Sequence, residues 1–160
     1  MALAIDLFRS SRDTMEKFVL VVDDNEEARI AAEISLQPLD TCAIYSFKTV
    51  AKALTFLETD AHGLGVLVTD LHLPQADGFE LIQRVRSDVR WAHVPIVVVS
   101  ADGCQETRDR LQDLGADAFF LKPYSPAQLL RTVERLLYAN DQDSLASVHN
   151  RLGPGSPDHR

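Results

Sequence analysis

Val66-Leu67-Val68-Thr69-Asp70, followed by Leu71-His72-Leu73-Pro74-Gln75-Ala76-Asp77-Gly78, is the stretch on which the fold turns. An apolar run of this kind reads as a buried strand, as in a parallel sheet covered on both faces. It stops at a carboxylate, passes through a turn carrying Pro74 and Gly78, and gives way to a helical pattern from Asp77. Asp70 therefore stands at the carboxyl end of a core strand, where open α/β sheets place their ligands.

Working back from this stretch, Phe18-Val19-Leu20-Val21-Val22 is a strand that ends in Asp23-Asp24. Asn25 is a helix cap, with Glu26 and Glu27 in a first turn that suits the helix dipole. Ile30, Ile34 and the alanines between them give that helix its core face. Cys42-Ala43-Ile44-Tyr45 is a second strand, and Val50, Ala53, Leu54 and Leu57 mark one face of the next helix.

Working forward, Asp77 and Glu80 pair as N-cap and N3 of a helix that buries Leu81, Ile82 and Val85. Pro95 introduces the strand Ile96-Val97-Val98-Val99, which ends in Ser100. Residues 104–114 form a polar helix with only Leu111 and Leu114 clearly apolar, stopped by Gly115. Asp117-Ala118-Phe119-Phe120-Leu121 is the fifth strand and runs into Lys122-Pro123. Ser125, Pro126 and Gln128 start a last helix through Leu129, Leu130, Val133, Leu136 and Leu137. Strict alternation of strand and helix gives an α/β fold, a parallel sheet with helices on both faces.

A chain of 160 residues suits one domain. We divide it into an N-terminal extension over 1–16, a domain over 17–139 and a polar tail over 140–160, disordered by composition. Met15 is an alternative start, and the piece Leu3-Ala4-Ile5-Asp6-Leu7-Phe8 has no assigned role. The net charge of −8 disfavours electrostatic attraction to nucleic acid or an anionic membrane. Cys42 and Cys104 lack metal or CxxC spacing and read as small, buried or partly buried thiols in a reducing compartment. No apolar stretch is long enough to span a bilayer, and no secretory h-region is visible, which points to the cytoplasm.

Four strands end in chemically distinct polar groups: Asp23 with Asp24, Asp70, Ser100 and Lys122. In a parallel sheet these ends share one edge. Alone, each has an ordinary reading: Asp23, Asp24 and Ser100 as caps or turn formers, Lys122 as a solvated lysine, Asp77 as a cap. Together they place three carboxylates, a hydroxyl and an ammonium at one spot. Three like charges call for a bound cation, and an all-oxygen set suits Mg²⁺ or Mn²⁺ better than zinc. The lysine and serine add what a phosphoryl group needs, a counter-charge and a hydrogen-bond donor.

The set Val21-Val22-Asp23-Asp24, Asp70 with Pro74 and Asp77-Gly78, Ser100-Ala101 and Lys122-Pro123 resembles the receiver domains of two-component response regulators. The resemblance covers roughly residues 17–138. It implies a flavodoxin-like doubly wound sheet of five strands in the order 2-1-3-4-5. By the same resemblance, Asp70 is the phospho-acceptor, served by a histidine kinase or a histidine phosphotransfer protein. Asp23 and Asp24 are the acidic pair for Mg²⁺, with Asp24 and Asp70 as direct ligands and the backbone carbonyl of His72 as the third protein ligand.

Lys122 then pairs with the phosphoryl oxygens, and Pro123 follows a cis bond. Ser100 and Phe119 are the switch pair: the hydroxyl moves to the phosphoryl group, and the ring turns inward behind it. His72 and Asp102 occupy positions that tune the phosphorylated lifetime, with the His72 side chain facing solvent. Output is relayed by protein–protein contacts through the helix 104–114, the fifth strand and the last helix, a face that also serves dimerisation. The resemblance implies a stand-alone receiver with no DNA-binding output domain, catalysing only its own phosphorylation and dephosphorylation. Two alternatives are a phosphatase using Asp70 as a transient nucleophile, whose general-acid position here holds His72, and a receiver-shaped module that is never phosphorylated.

Overall fold

The structure is a computed structural model that describes residues 17–59 and 63–149, with side chains described through residue 139. Five strands alternate with five helices: β1 Phe18–Val22, α1 Glu26–Leu36, β2 Ala43–Phe47, α2 Val50–Thr59, β3 Leu64–Thr69, α3 Gly78–Ser87, β4 Ile96–Ser100, α4 Gln105–Asp113, β5 Ala118–Leu121 and α5 Pro126–His149. The strands form one parallel sheet in the order β2-β1-β3-β4-β5. The expectation on Leu3–Phe8 and on Met15 lies outside the described residues.

Alternation along each strand sorts the apolar side chains into two cores. Phe18, Leu20, Val22, Leu67, Ile96 and Val98 face α2, α3 and Leu111 of α4. Val19, Val21, Val66, Val68, Val97 and Val99 face Ala32 and Leu36 of α1 and Leu129, Val133 and Leu137 of α5. Because β1, β3 and β4 are covered on both sides, their sequences are continuously apolar.

Three expectations need correction. Ile30 and Ile34 are 46% and 59% exposed; the buried positions of α1 are Ala32 and Leu36. These pairs are two residues out of step, which is roughly half a turn of helix, so they occupy opposite faces. Of the expected face, only Ala32 is buried, and it packs with Leu36 against the sheet and α5. Second, the backbone stays helical to His149, where a tail was expected from Asn140. The chain meets no glycine or proline between Ala127 and Leu152, and a helix already nucleated on the core propagates through polar residues. Third, Cys104 is exposed, because it sits at the N-cap of α4 rather than on its packed face.

The junctions that bring chain ends to the site are tightly built. Asp77 caps α3 by accepting from Glu80 N at 2.8 Å. The following Gly78 donates to Leu71 O at 2.8 Å, and a Cβ there would stand 2.1 Å from Asp70 O. No other residue fits. Asn25 caps α1 by accepting from Ala28 N at 2.9 Å.

Candidate functional site

Register places the site. Val22 pairs with Thr69 across β1 and β3, so Asp23 and Asp70 emerge side by side, and Asp70 N still donates to Val22 O at 2.9 Å. Ser100 pairs with Leu121 across β4 and β5, and Lys122 N donates to Ser100 O at 2.9 Å. The sheet edge thus gathers Asp23, Asp24, Asp70, Ser100 and Lys122.

Lys122 Nζ donates to Asp23 Oδ2 and to Asp70 Oδ2, each at 2.7 Å. The remaining oxygens are also held. Asp23 Oδ1 accepts from Asn25 N at 2.9 Å, and Asp70 Oδ1 accepts from Leu71 N at 2.6 Å and His72 N at 3.1 Å. Both acids are buried, while Asp24 is exposed at the rim. Carboxylate oxygens of Asp23, Asp24 and Asp70 all lie within 4.8 Å of one another, an arrangement that can hold a metal ion. Hard, anionic oxygens are the donor set that a hard dication such as Mg²⁺ takes.

Burial alone would lower the pKa of Lys122, but its hydrogen bonds to Asp23 and Asp70, with their charges, outweigh that and raise it. The lysine is therefore a fixed cation at neutral pH. Three carboxylates and one ammonium leave the cluster at −2, the charge that one divalent cation balances.

Ser100 is fully buried, and its Oγ accepts from Asp102 N at 3.2 Å. His72 is exposed, with Nδ1 at 3.5 Å from Ser100 Oγ, the outer limit for a hydrogen bond. Asp102 is spoken for at the start of α4: Oδ1 accepts from Cys104 N at 3.0 Å and Oδ2 from Thr107 Oγ1 at 2.8 Å. Those bonds, first that of the Cys104 backbone, hold its carboxyl below the usual range. Phe119 is half-buried under the guanidinium of Arg108, and the Lys122–Pro123 bond is cis.

Two residues near the acids were not singled out from sequence. Tyr124 lines a cleft with Asp23, Thr69 and Asp70. Burial pushes its phenol up, with Lys122 opposing and Asp23 adding to the shift. Arg29 Nη1 donates to Asp23 O at 3.0 Å. Its partner is a backbone carbonyl, which leaves no side-chain pair in the sequence to read.

The chain resembles proteins of one kind. Residues 19–134 match the profile of the response regulator receiver domain. It is 31% identical over 121 residues to the response regulator Rre1 of Synechocystis, covering 74% of this chain and 51% of that protein, about half its length. It is 28% identical over 123 residues to the chemotaxis protein CheY1 of Helicobacter pylori, covering 77% of this chain and 98% of the relative.

Among solved structures, the chemotaxis response regulator CheY4 of Vibrio cholerae superposes with a TM-score of 0.66 at 25% identity, over 75% of this chain and 98% of that one. The BeF3-activated DrrB receiver domain does so with a TM-score of 0.67 at 25% identity, over 77% and 98%. Sheet order, strand-end chemistry and the profile match agree, and this chain belongs to the response regulator receiver domain family.

Proposed function

We propose that Asp70 accepts a phosphoryl group from a histidine kinase or a histidine phosphotransfer protein, with Mg²⁺ (or Mn²⁺) bound by Asp24, Asp70 and the His72 carbonyl beside Asp23. The observation that carries this reading is one ammonium, Lys122, bridging two buried carboxylates from separate strands at 2.7 Å, with a third acid within metal-binding reach. A carboxylate so held is fixed in direction and can present an oxygen as a nucleophile. In the transfer an Asp70 oxygen bonds to phosphorus, and the bond from phosphorus to the donor imidazole nitrogen breaks, its electron pair returning to the ring. Lys122 follows the charge onto the phosphoryl oxygens. A bound divalent cation supplies further neutralisation of that charge.

Phosphorylation adds charge and acceptor oxygens. Ser100 Oγ moves to meet them, Phe119 takes up the space behind it, and α4, whose buried residues are Thr107 and Leu111, shifts with them. His72 and Asp102 border the acceptor and tune how long the group lasts. The signal leaves through the face of α4, β5 and α5, to a downstream protein or a second copy of the chain. The cleft that Asp23, Thr69, Asp70 and Tyr124 line has about 10 Å³ of free volume, too little to seat a small-molecule substrate beneath the acids. We read the chain as one that modifies itself rather than turning over a separate metabolite.

The deciding experiment is intact mass after incubation with acetyl phosphate, in Mg²⁺, in chelator, and in Asp70→Asn. One phosphate adduct that needs the metal and disappears in the variant supports the reading. No adduct on folded protein, from acetyl phosphate and from a phosphorylated histidine donor alike, leaves a receiver-shaped binding module instead.

A further inference from the structure

The carbonyl of Asp23 is an oxygen that neither the sheet nor the backbone of α1 satisfies. β1 ends at Val22, and among the described residues no backbone N–H donates to Asp23 O. Arg29 fills that role: Nη1 reaches the carbonyl at 3.0 Å from a half-buried position. The arginine is itself anchored, since its backbone N donates to Asn25 O at 3.0 Å. Asp23 O belongs to the peptide that joins Asp23 to Asp24. The Asp23 and Asp70 carboxylates each have backbone and lysine donors. The Asp24 carboxylate has no hydrogen bond among the described residues, so its direction depends on its own backbone.

We propose that Arg29 is a positioning residue for the divalent cation. By holding the Asp23 carbonyl it fixes the plane of the Asp23–Asp24 peptide, and with it the direction in which Asp24 meets Asp23 and Asp70. This rests on the reading of the three acids as a metal site. A guanidinium beside that site also repels an incoming dication. Positioning and repulsion have opposite signs, so removing the arginine decides between them. Loss of a residue that orients a metal ligand weakens binding by about ten- to a hundredfold, whereas loss of a nearby positive charge alone tightens it.

The test is a Mn²⁺ titration of the full chain, with the free aqueous ion followed by electron paramagnetic resonance and urea midpoints measured in parallel. Wild type, Arg29→Met, Arg29→Gln, Arg29→Lys and Asp24→Asn are compared. Arg29→Met and the better tolerated Arg29→Gln should each bind about tenfold more weakly than wild type while still folded. Arg29→Lys keeps a donor and the charge and should recover part of the loss, and Asp24→Asn sets the floor. Affinity in folded Arg29→Met or Arg29→Gln equal to or tighter than wild type overturns the assignment, as does Arg29→Lys binding more weakly than both. A folded wild type that binds no Mn²⁺ overturns the metal-site reading and this inference with it.

Discussion

The guanidinium of Arg108 lies 4.7 Å from the centre of the Phe119 ring while its Nε donates to Gly103 O at 3.0 Å. It joins the start of α4 to the aromatic of β5. A cation over a ring at such a site contributes about 0.5–1 kcal/mol. In the proposed switch Phe119 leaves this cover, so the contact favours the resting state. Arg108→Ala should therefore bind fluoroberyllate about two- to fivefold more tightly, by the linkage of that contact to the switch. Arg110→Ala, which removes the stack on Phe79 at 3.8 Å, is the control and should not. Equal affinities for Arg108→Ala and wild type would end the idea of a latch.

Ile30 and Ile34 form an exposed i, i+4 pair on α1, the helix that begins two residues after Asp24. A protein donor has to dock near Asp70, and a small donor does not. Changing both isoleucines to Glu should leave phosphorylation by acetyl phosphate intact. Transfer from a phosphorylated histidine donor should fall about tenfold or more. Equal loss with both donors would point to damage at the site; no loss with either would remove α1 from docking.

Lys122→Met strands two buried carboxylates that share one counter-charge. In chelator at neutral pH the variant should lose about 3 kcal/mol of unfolding free energy. Mg²⁺ replaces the missing charge, so its stabilising effect on the urea midpoint should be larger in the variant than in wild type. A variant as stable as wild type in chelator contradicts the electrostatic account.

Arg90 pairs with Asp88 at 2.6 Å and with Glu58 of α2 at 3.2 Å. The Arg90 side chain beside Asp88 holds its carboxyl at about 2 instead of 3.8. The folded value is the lower one, so the unfolded chain takes up the proton first as pH falls. The contribution of Asp88 to stability is full above 3.8 and fades towards about 2. Urea midpoints of wild type and Asp88→Asn should differ at pH 7 in low salt and converge across that window. A gap that stays constant down to about pH 2 would assign the difference to something else.

The convergence of Asp23, Asp70, Ser100 and Lys122 was legible because strand ends of a parallel sheet share one edge, whereas the sheet order was legible only through the resemblance to receiver domains. The core face of α1 was legible only in part: Ala32 packs there as expected, but with Leu36 and not with the larger Ile30 and Ile34, to which a periodicity that weighs size gives most weight. Arg29 and Arg108 escaped for a different reason. Their partners, a backbone carbonyl and a ring on another strand, leave no spacing in the sequence to read. The helical stretch beyond Asn140 was missed because composition describes what a segment can do alone, whereas this one grows from a helix already seated on the core.

At Gly78 the missing side chain makes room for a direct seat. With a Cβ excluded at 2.1 Å from Asp70 O, the first residue of α3 rests on the peptide of the proposed acceptor itself. Helix α3 is in turn wedged by Leu81, Ile82 and Val85, all fully buried. The Asp70 carboxylate is thus a passenger on the hydrophobic interior. Its position is borrowed from close packing one and two helical turns away, and a slackened interior would be felt first as a misplaced carboxylate.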